Sequence, residues 1–98
     1  MKFESGEIVI VILQNPREKV LGVLHEISAA GAFVRGIDLN YFDDWIKAIK
    51  TDEPILPMQD SFYPMWRVER ISRDEDSHGL PSMAEQFIQK TGLQITDF

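Results

Sequence analysis

His25 is followed directly by Glu26 in the stretch GVLHEISAAGAFVRGI, residues 22–37. An imidazole beside an orienting carboxylate is the arrangement of a general base. On a strand, however, successive side chains point to opposite faces, so these two do not work as a pair. Asp43 and Asp44 resemble a paired-carboxylate or cation site. On a helix, neighbours stand about 100° apart, and no third ligand follows at fitting spacing. Asp74, Glu75 and Asp76 read as a solvated charge run, with His78 a solvated loop residue beside them. Ser61 and Ser82 have no His and Asp in a triad-like arrangement, and no GxSxG, P-loop or GxGxxG occurs. With no cysteine there is no thiolate nucleophile, thiolate metal site or disulfide framework. The chain therefore reads as non-catalytic, with no catalytic, cofactor-binding or metal-ligating residue and no cofactor.

What remains is binding. Ser28 and Gly31 bracket the short turn SAAG, and Arg17 and Arg35 are the nearby guanidinium groups. These four are the candidate ligand or RNA contacts. Arg67, Arg70 and Arg73 come later and extend the same basic set. A second group is aromatic: Tyr41 and Trp45 cluster with Tyr63 and Trp66 if a helix packs near a late strand. Tyr, Trp and Arg are enriched at interfaces, so these four are the candidate partner surface.

Ninety-eight residues fit one domain, and an apolar fraction of 44% supports a packed core. The net charge is −6, and residues 38–98 hold six basic against twelve acidic groups. Nucleic-acid binding draws on Lys and Arg neutralising phosphates, so an acidic chain without a basic run disfavours that partner. The longest N-terminal apolar run, Ile8 to Leu13, is far short of the ~20 residues of a membrane span. The expectation is a soluble, cytoplasmic chain with no membrane association.

The elements that position these residues follow from periodicity. GEIVIVIL, residues 6–13, is β-branched and apolar on both faces. It reads as a strand buried on both sides, or one whose outer face meets another subunit. Asn15-Pro16 marks a turn. Residues 19–27 resume extended structure, with Gly22 at a bend or close approach. After SAAG, residues 32–37 form a third strand, completing an antiparallel meander. The period then changes. Phe42, Trp45, Ile46 and Ile49 fall on one helical face, which places a short inserted helix at about 41–50 with Asn40 as N-cap. Residues 62–72 read as a fourth strand with a bend at Pro64, and a fifth is sought in 54–60. Residues 74–81 read as a polar linker. Ser82 and Glu85 form a capping box for a C-terminal helix at about 83–91, with Gly92 at its C′ position.

The order of these strands resembles the small barrels of the Sm-like family. Gly22 and Leu24 match that family's apolar-x-x-x-Gly-x-Leu motif, and Ile27 its next apolar position. The positions of its RNA-binding Asp and Asn fall on Ser28 and near Ala32, which cannot make those contacts. The resemblance covers residues 6–72 and implies a mainly β fold: a small antiparallel SH3-like or Sm-like β-barrel with added helices. It also implies a ring or other homo-oligomer; another protein is the partner that the aromatic surface would suit. Glu26-Ile27-Ser28-Ala29-Ala30-Gly31 is similar to the Asp/Asn-x-Ser-x-x-Gly motif of PilZ domains, which bind cyclic di-GMP. Their upstream arginine pair is reduced here to Arg17. The expectations are thus one domain, 1–98, acting as a self-associating assembly module. The alternative is a nucleotide- or RNA-binding barrel with degenerate site residues.

Overall fold

The run IVIVIL forms strand β1, Ile8–Leu13, and both of its faces are covered. The computed structural model describes residues 2–98. Because side chains alternate across a strand, Val9, Val11 and Leu13 enter one cluster with Val20, Leu24, Ala32 and Val34. Ile8 and Ile10 point the other way, onto a second cluster built around Trp45 and Phe87. Those two aromatics lie on helices of this same chain. The outer face of β1 is thus covered in part, at Ile8 and Ile10, by helices of the same chain.

Strands β2 (Glu18–Ile27), β3 (Gly31–Asp38) and β4 (Gln59–Pro64) continue the antiparallel meander, and β5 (Val68–Arg73) returns to pair with β1. The strand order is β4-β3-β2-β1-β5. β4 and β5 are therefore opposite edges of the sheet, yet one 3-10 turn, Met65–Arg67, joins them. A sheet whose ends lie three residues apart must coil strongly. Two irregularities help: a bulge between Leu24 and Glu26, and a register shift between Ile12 and Leu13. Gly22 faces Gly36 across β2 and β3, where the strands approach too closely for side chains. β4 and β5 form no ladder with each other, so the sheet is open along that seam. The architecture is a mainly β domain: a five-stranded antiparallel sheet with two helices.

The late strands differ from the sequence reading. Residues 62–72 are not one bent strand but the end of β4, a 3-10 turn and β5. Proline has no N–H for a continuing ladder, and β4 ends at Pro64. Residues 54–58 hold no strand; β4 begins at Gln59.

Helix α1 spans Phe42–Lys50, and Phe42, Trp45 and Ile46 are buried as the helical period requires. Asn40 is not its cap. A 3-10 turn, Leu39–Tyr41, runs straight into α1, and the capping position moves to the start of that turn. There the Asp38 carboxylate accepts the Asn40 N–H at 2.8 Å. No helix among the described residues is long and apolar enough to cross a membrane.

Helix α2 spans Met83–Thr91. The Ser82 hydroxyl accepts the Glu85 N–H at 3.1 Å, and Gly92 adopts φ 74° at the C-terminus. The other half of the capping box is supplied differently. The Ser82 N–H donates to Asp76 at 2.8 Å, not to Glu85. The two oxygens of Asp74 accept the Met83 and Ala84 N–H groups at 2.7 and 2.8 Å. Residues 74–81, read as a linker with a solvated acidic run, are in fact a capping segment. Negative charge at a helix N-terminus is further favoured by the helix dipole. Replacing Asp74 with Ala strands two N–H groups and loosens the helix that carries Phe87. The expected loss is about 1–2 kcal/mol in urea unfolding, with the Glu75→Ala control near zero.

The segment before β1 is tied to β5 by Glu7 and Arg73. Arg73 donates to the Glu7 carboxylate and to the Lys2 carbonyl, and its guanidinium lies 4.6 Å from the Phe3 ring centre. The hydrogen bond from Arg73, aided by the Glu4 N–H, holds the Glu7 pKa below the usual carboxylate value. A carboxylate favoured by folding in this way stabilises the protein at neutral pH, and the stabilisation disappears as pH falls through its lowered pKa. Glu7→Gln is therefore expected to lower the thermal midpoint at neutral pH. The two proteins should converge at a pH below the carboxylate range.

Candidate functional site

Ser28 and Gly31 close the β2–β3 hairpin. Ser28 N–H donates to the Gly31 carbonyl at 2.9 Å, and Gly31 N–H returns the bond at 3.2 Å. Ala29 and Ala30 form the two-residue loop between them. The Ser28 hydroxyl accepts the Ala30 N–H at 3.2 Å, holding the turn from within. A Cβ on Gly31 would stand 2.2 Å from the Tyr63 carbonyl oxygen. Both residues thus serve the hairpin and its contact with β4. Arg17 lies at the opposite end of β2, paired with Glu69 on β5 at 3.0 Å. Arg35 lies midway along β3, on the outer face. The fold does not gather these four candidates around one space.

The arginines are also dispersed in charge. Arg17 faces Glu69, Arg35 faces Asp60, Arg67 faces Glu18 and Arg73 faces Glu7, all within 4 Å. Four of the five arginines thus meet a carboxylate, and no shared basic face results.

Arg35 belongs instead to a polar row that crosses three strands. Its guanidinium lies 3.4 Å from Asp60 on β4 and donates to the Phe98 main-chain oxygen at 2.9 Å. His25 Nε2 stands 3.2 Å from the other Asp60 oxygen. The bulge at His25 breaks the strand's alternation: Glu26 pairs with Phe33 and His25 reaches Asp60. The two neighbours therefore share one face, rather than pointing to opposite faces as a regular strand would require, and the partner of the ring is Asp60. The row brackets β2, β3 and β4 together. It offers a base but no nucleophile, because Ser61, next to Asp60, points to the opposite face. The His25 ring is half exposed.

Next along the same face, Phe33 and Phe62 are directly opposed across β3 and β4. Their rings are 4.7 Å apart, and each is more than 40% exposed. Beside them runs the free edge of β4. Met65 N–H donates to the Ala30 carbonyl, and Tyr63 is in register with Ala32. In an antiparallel ladder alternate residues turn their main-chain groups to opposite sides. Ser61, Tyr63 and Met65 therefore bond toward β3. Asp60 and Phe62 present their N–H and C=O groups outward, with Pro64 leaving no unpaired donor.

The four aromatic candidates separate. Trp45 is fully buried between Phe87 and Phe98, a core residue with no exposed surface. Trp66 is 64% exposed on the turn between β4 and β5. Tyr41 and Tyr63 meet at a cavity of about 230 Å³ on the other side of the sheet. Its apolar wall is Val20, Ile37 and Leu56; its polar wall is Glu18, Asp38, Tyr41, Gln59, Ser61 and Tyr63. Val20 pairs with Asp38 and Gly36 with Gln59, so β2, β3 and β4 all contribute. Asp38 and Gln59 escape the sequence reading, and Ser61 enters it only as a serine without triad partners. The alternation in QDSFYP places Gln59, Ser61 and Tyr63 on one face, but only once β4 is known to begin at Gln59.

The chain matches no protein-family model, and neither a curated protein nor a solved structure is significantly similar to it.

Proposed function

We propose that this chain is a non-catalytic assembly module, a small SH3-like or Sm-like barrel that self-associates through the free edge of β4. The barrel reading is supported by a sheet whose two edges are three residues apart in sequence, wrapped around the cluster of Val9, Val11, Leu13 and Val34. The non-catalytic reading is supported by the polar row, which holds a base without a nucleophile. The paired arginines and the hairpin duties of Ser28 and Gly31 weigh against the alternative of a nucleotide- or RNA-binding barrel.

The observation that carries self-association is the exposed Phe33–Phe62 pair beside unpaired main-chain groups. An edge strand of this kind is a template for another strand. Two-fold pairing of β4 with its copy, Phe62 opposite Phe62, gives four main-chain hydrogen bonds. The bonds are two between the Phe62 residues and two from Asp60 N–H to the opposing Pro64 carbonyl. The same register sets Asp60 opposite Pro64, which avoids facing like charges. It also lines up four phenyl rings, Phe33, Phe62 and their copies, along one continuous sheet. A two-fold arrangement is the commonest closed symmetry.

Light scattering on the eluting protein tests this at tens of micromolar. The expected species is a dimer, and Phe62→Lys is expected to be a monomer with an unchanged circular dichroism spectrum. A strict monomer for the unaltered chain rules the proposal out.

A further inference from the structure

We infer that the cavity between β2, β3 and β4 binds the guanidinium group of an arginine side chain presented by a peptide. This does not depend on self-association, because Asp38, Gln59, Ser61 and Tyr63 on its wall alternate to the face opposite the Phe33–Phe62 pair. The charged side chains on its wall, Glu18 and Asp38, are both anionic. One Asp38 oxygen takes the Asn40 N–H at 2.8 Å, and its second oxygen remains for a ligand. Glu18 pairs with the Arg67 guanidinium at 3.8 Å without a hydrogen bond, so it can still accept one from a ligand. Among the described residues, the side chains of Tyr41, Gln59, Ser61 and Tyr63 have no hydrogen-bond partner. Glu18 and Asp38 can only accept, while the hydroxyls and the amide can each accept as well as donate.

A guanidinium is the complement of such a wall. It carries five N–H donors in a plane and no acceptor. Its plane stacks on tyrosine rings, and Tyr41 and Tyr63 supply two. An ammonium group has three donors at one point and cannot span carboxylates, hydroxyls and an amide at once. Anions, nucleotides included, meet two carboxylates. A free amino acid would bring its own carboxylate to an acidic rim. A peptide-borne arginine has none, which selects that source.

The test is a titration of the isotope-labelled protein, followed by amide chemical shifts, with N-acetyl-arginine methylamide as probe. Shifts are expected at Gly36, Asp38, Ser61 and Tyr63. N-acetyl-citrulline methylamide has the same shape without the charge and is expected to bind at least ten-fold more weakly. The same loss is expected for N-acetyl-lysine methylamide. Asp38→Asn, which keeps an acceptor for the Asn40 N–H, is expected to weaken arginine binding at least five-fold. Free arginine is expected to bind more weakly than the blocked form. Absence of shifts at these residues overturns the inference. So does equal binding of the citrulline or lysine probe, and equal or tighter binding by free arginine rules out the peptide source.

Discussion

Trp45→Ala is expected to lower the unfolding free energy by about 3–5 kcal/mol. Trp45 is fully buried at the centre of the cluster that covers the outer face of the sheet. Its ring lies 4.6 Å from that of Phe87 on α2 and 5.5 Å from that of Phe98, so one substitution loosens three segments. A loss of this size in a 98-residue domain lowers the thermal midpoint by roughly 15–30 °C. Trp45→Phe separates packing from polarity. The Trp45 Nε1–H is buried without a hydrogen-bond partner among the described residues. An unpaired buried donor of this kind is itself destabilising by about 1–3 kcal/mol. Phenylalanine removes that donor while retaining a ring against Phe87. Trp45→Phe should therefore lose less than half of what the alanine variant loses. Equal losses would show that the indole nitrogen has a partner, such as an ordered water.

Gly22→Ala is the second large effect, at about 2–3 kcal/mol in urea unfolding. A Cβ at this position would lie 2.4 Å from the Arg35 carbonyl oxygen and 2.7 Å from the Gly36 Cα. Both are main-chain atoms, so relief requires β2 and β3 to move apart where they are closest. Gly36→Ala should be milder. Its Cβ first meets the Val20 Cγ1 at 2.7 Å, and a side-chain methyl has somewhere to go; the nearest main-chain atom is the Leu21 oxygen at 2.8 Å. Reversal of that order would mean that the sheet takes its bend elsewhere.

The readable parts of this fold are those written in local periodicity. β1, β2 and β3 follow from apolar alternation punctuated by Asn15-Pro16 and SAAG, and Gly22 is legible as a close approach. α1 and α2 follow from apolar residues three and four apart, with Ser82 and Gly92 marking the second helix. The obscured part is the turn between β4 and β5. Met65 and Trp66 are apolar, so the turn carries no polar signal and merges with its flanking strands. Asp74 and Asp76 look like a solvated run because the N–H groups they cap lie six to ten residues ahead, outside any local motif. The apolar outer face of β1 is legible, but what covers it is not, since the cover comes from helices that begin only at Phe42 and Met83.

The candidate-site residues have the same character. The imidazole of His25 is visible, while Asp60, its partner, lies 35 residues away. Glu26, the carboxylate at hand in the sequence, plays no part in that contact. Tyr41 and Tyr63, expected on a partner surface, share a cavity, but its polar wall needs the β3–β4 register to assemble. Trp45, chosen by the same aromatic criterion, belongs to the core. Residue type alone does not distinguish an interface tryptophan from a packed one.

Amide hydrogen exchange on β4 tests self-association most directly, because it reads the two sides of one strand separately. Ser61 and Tyr63 bond toward β3 and are expected to be protected at every protein concentration. Asp60 and Phe62 present their N–H groups to the free edge. They are expected to exchange freely in dilute protein and to become protected as concentration rises through the tens of micromolar. Phe62→Lys should abolish that second protection and leave the first intact. Free exchange of Asp60 and Phe62 at all concentrations, with Ser61 and Tyr63 still protected, would contradict assembly through this edge.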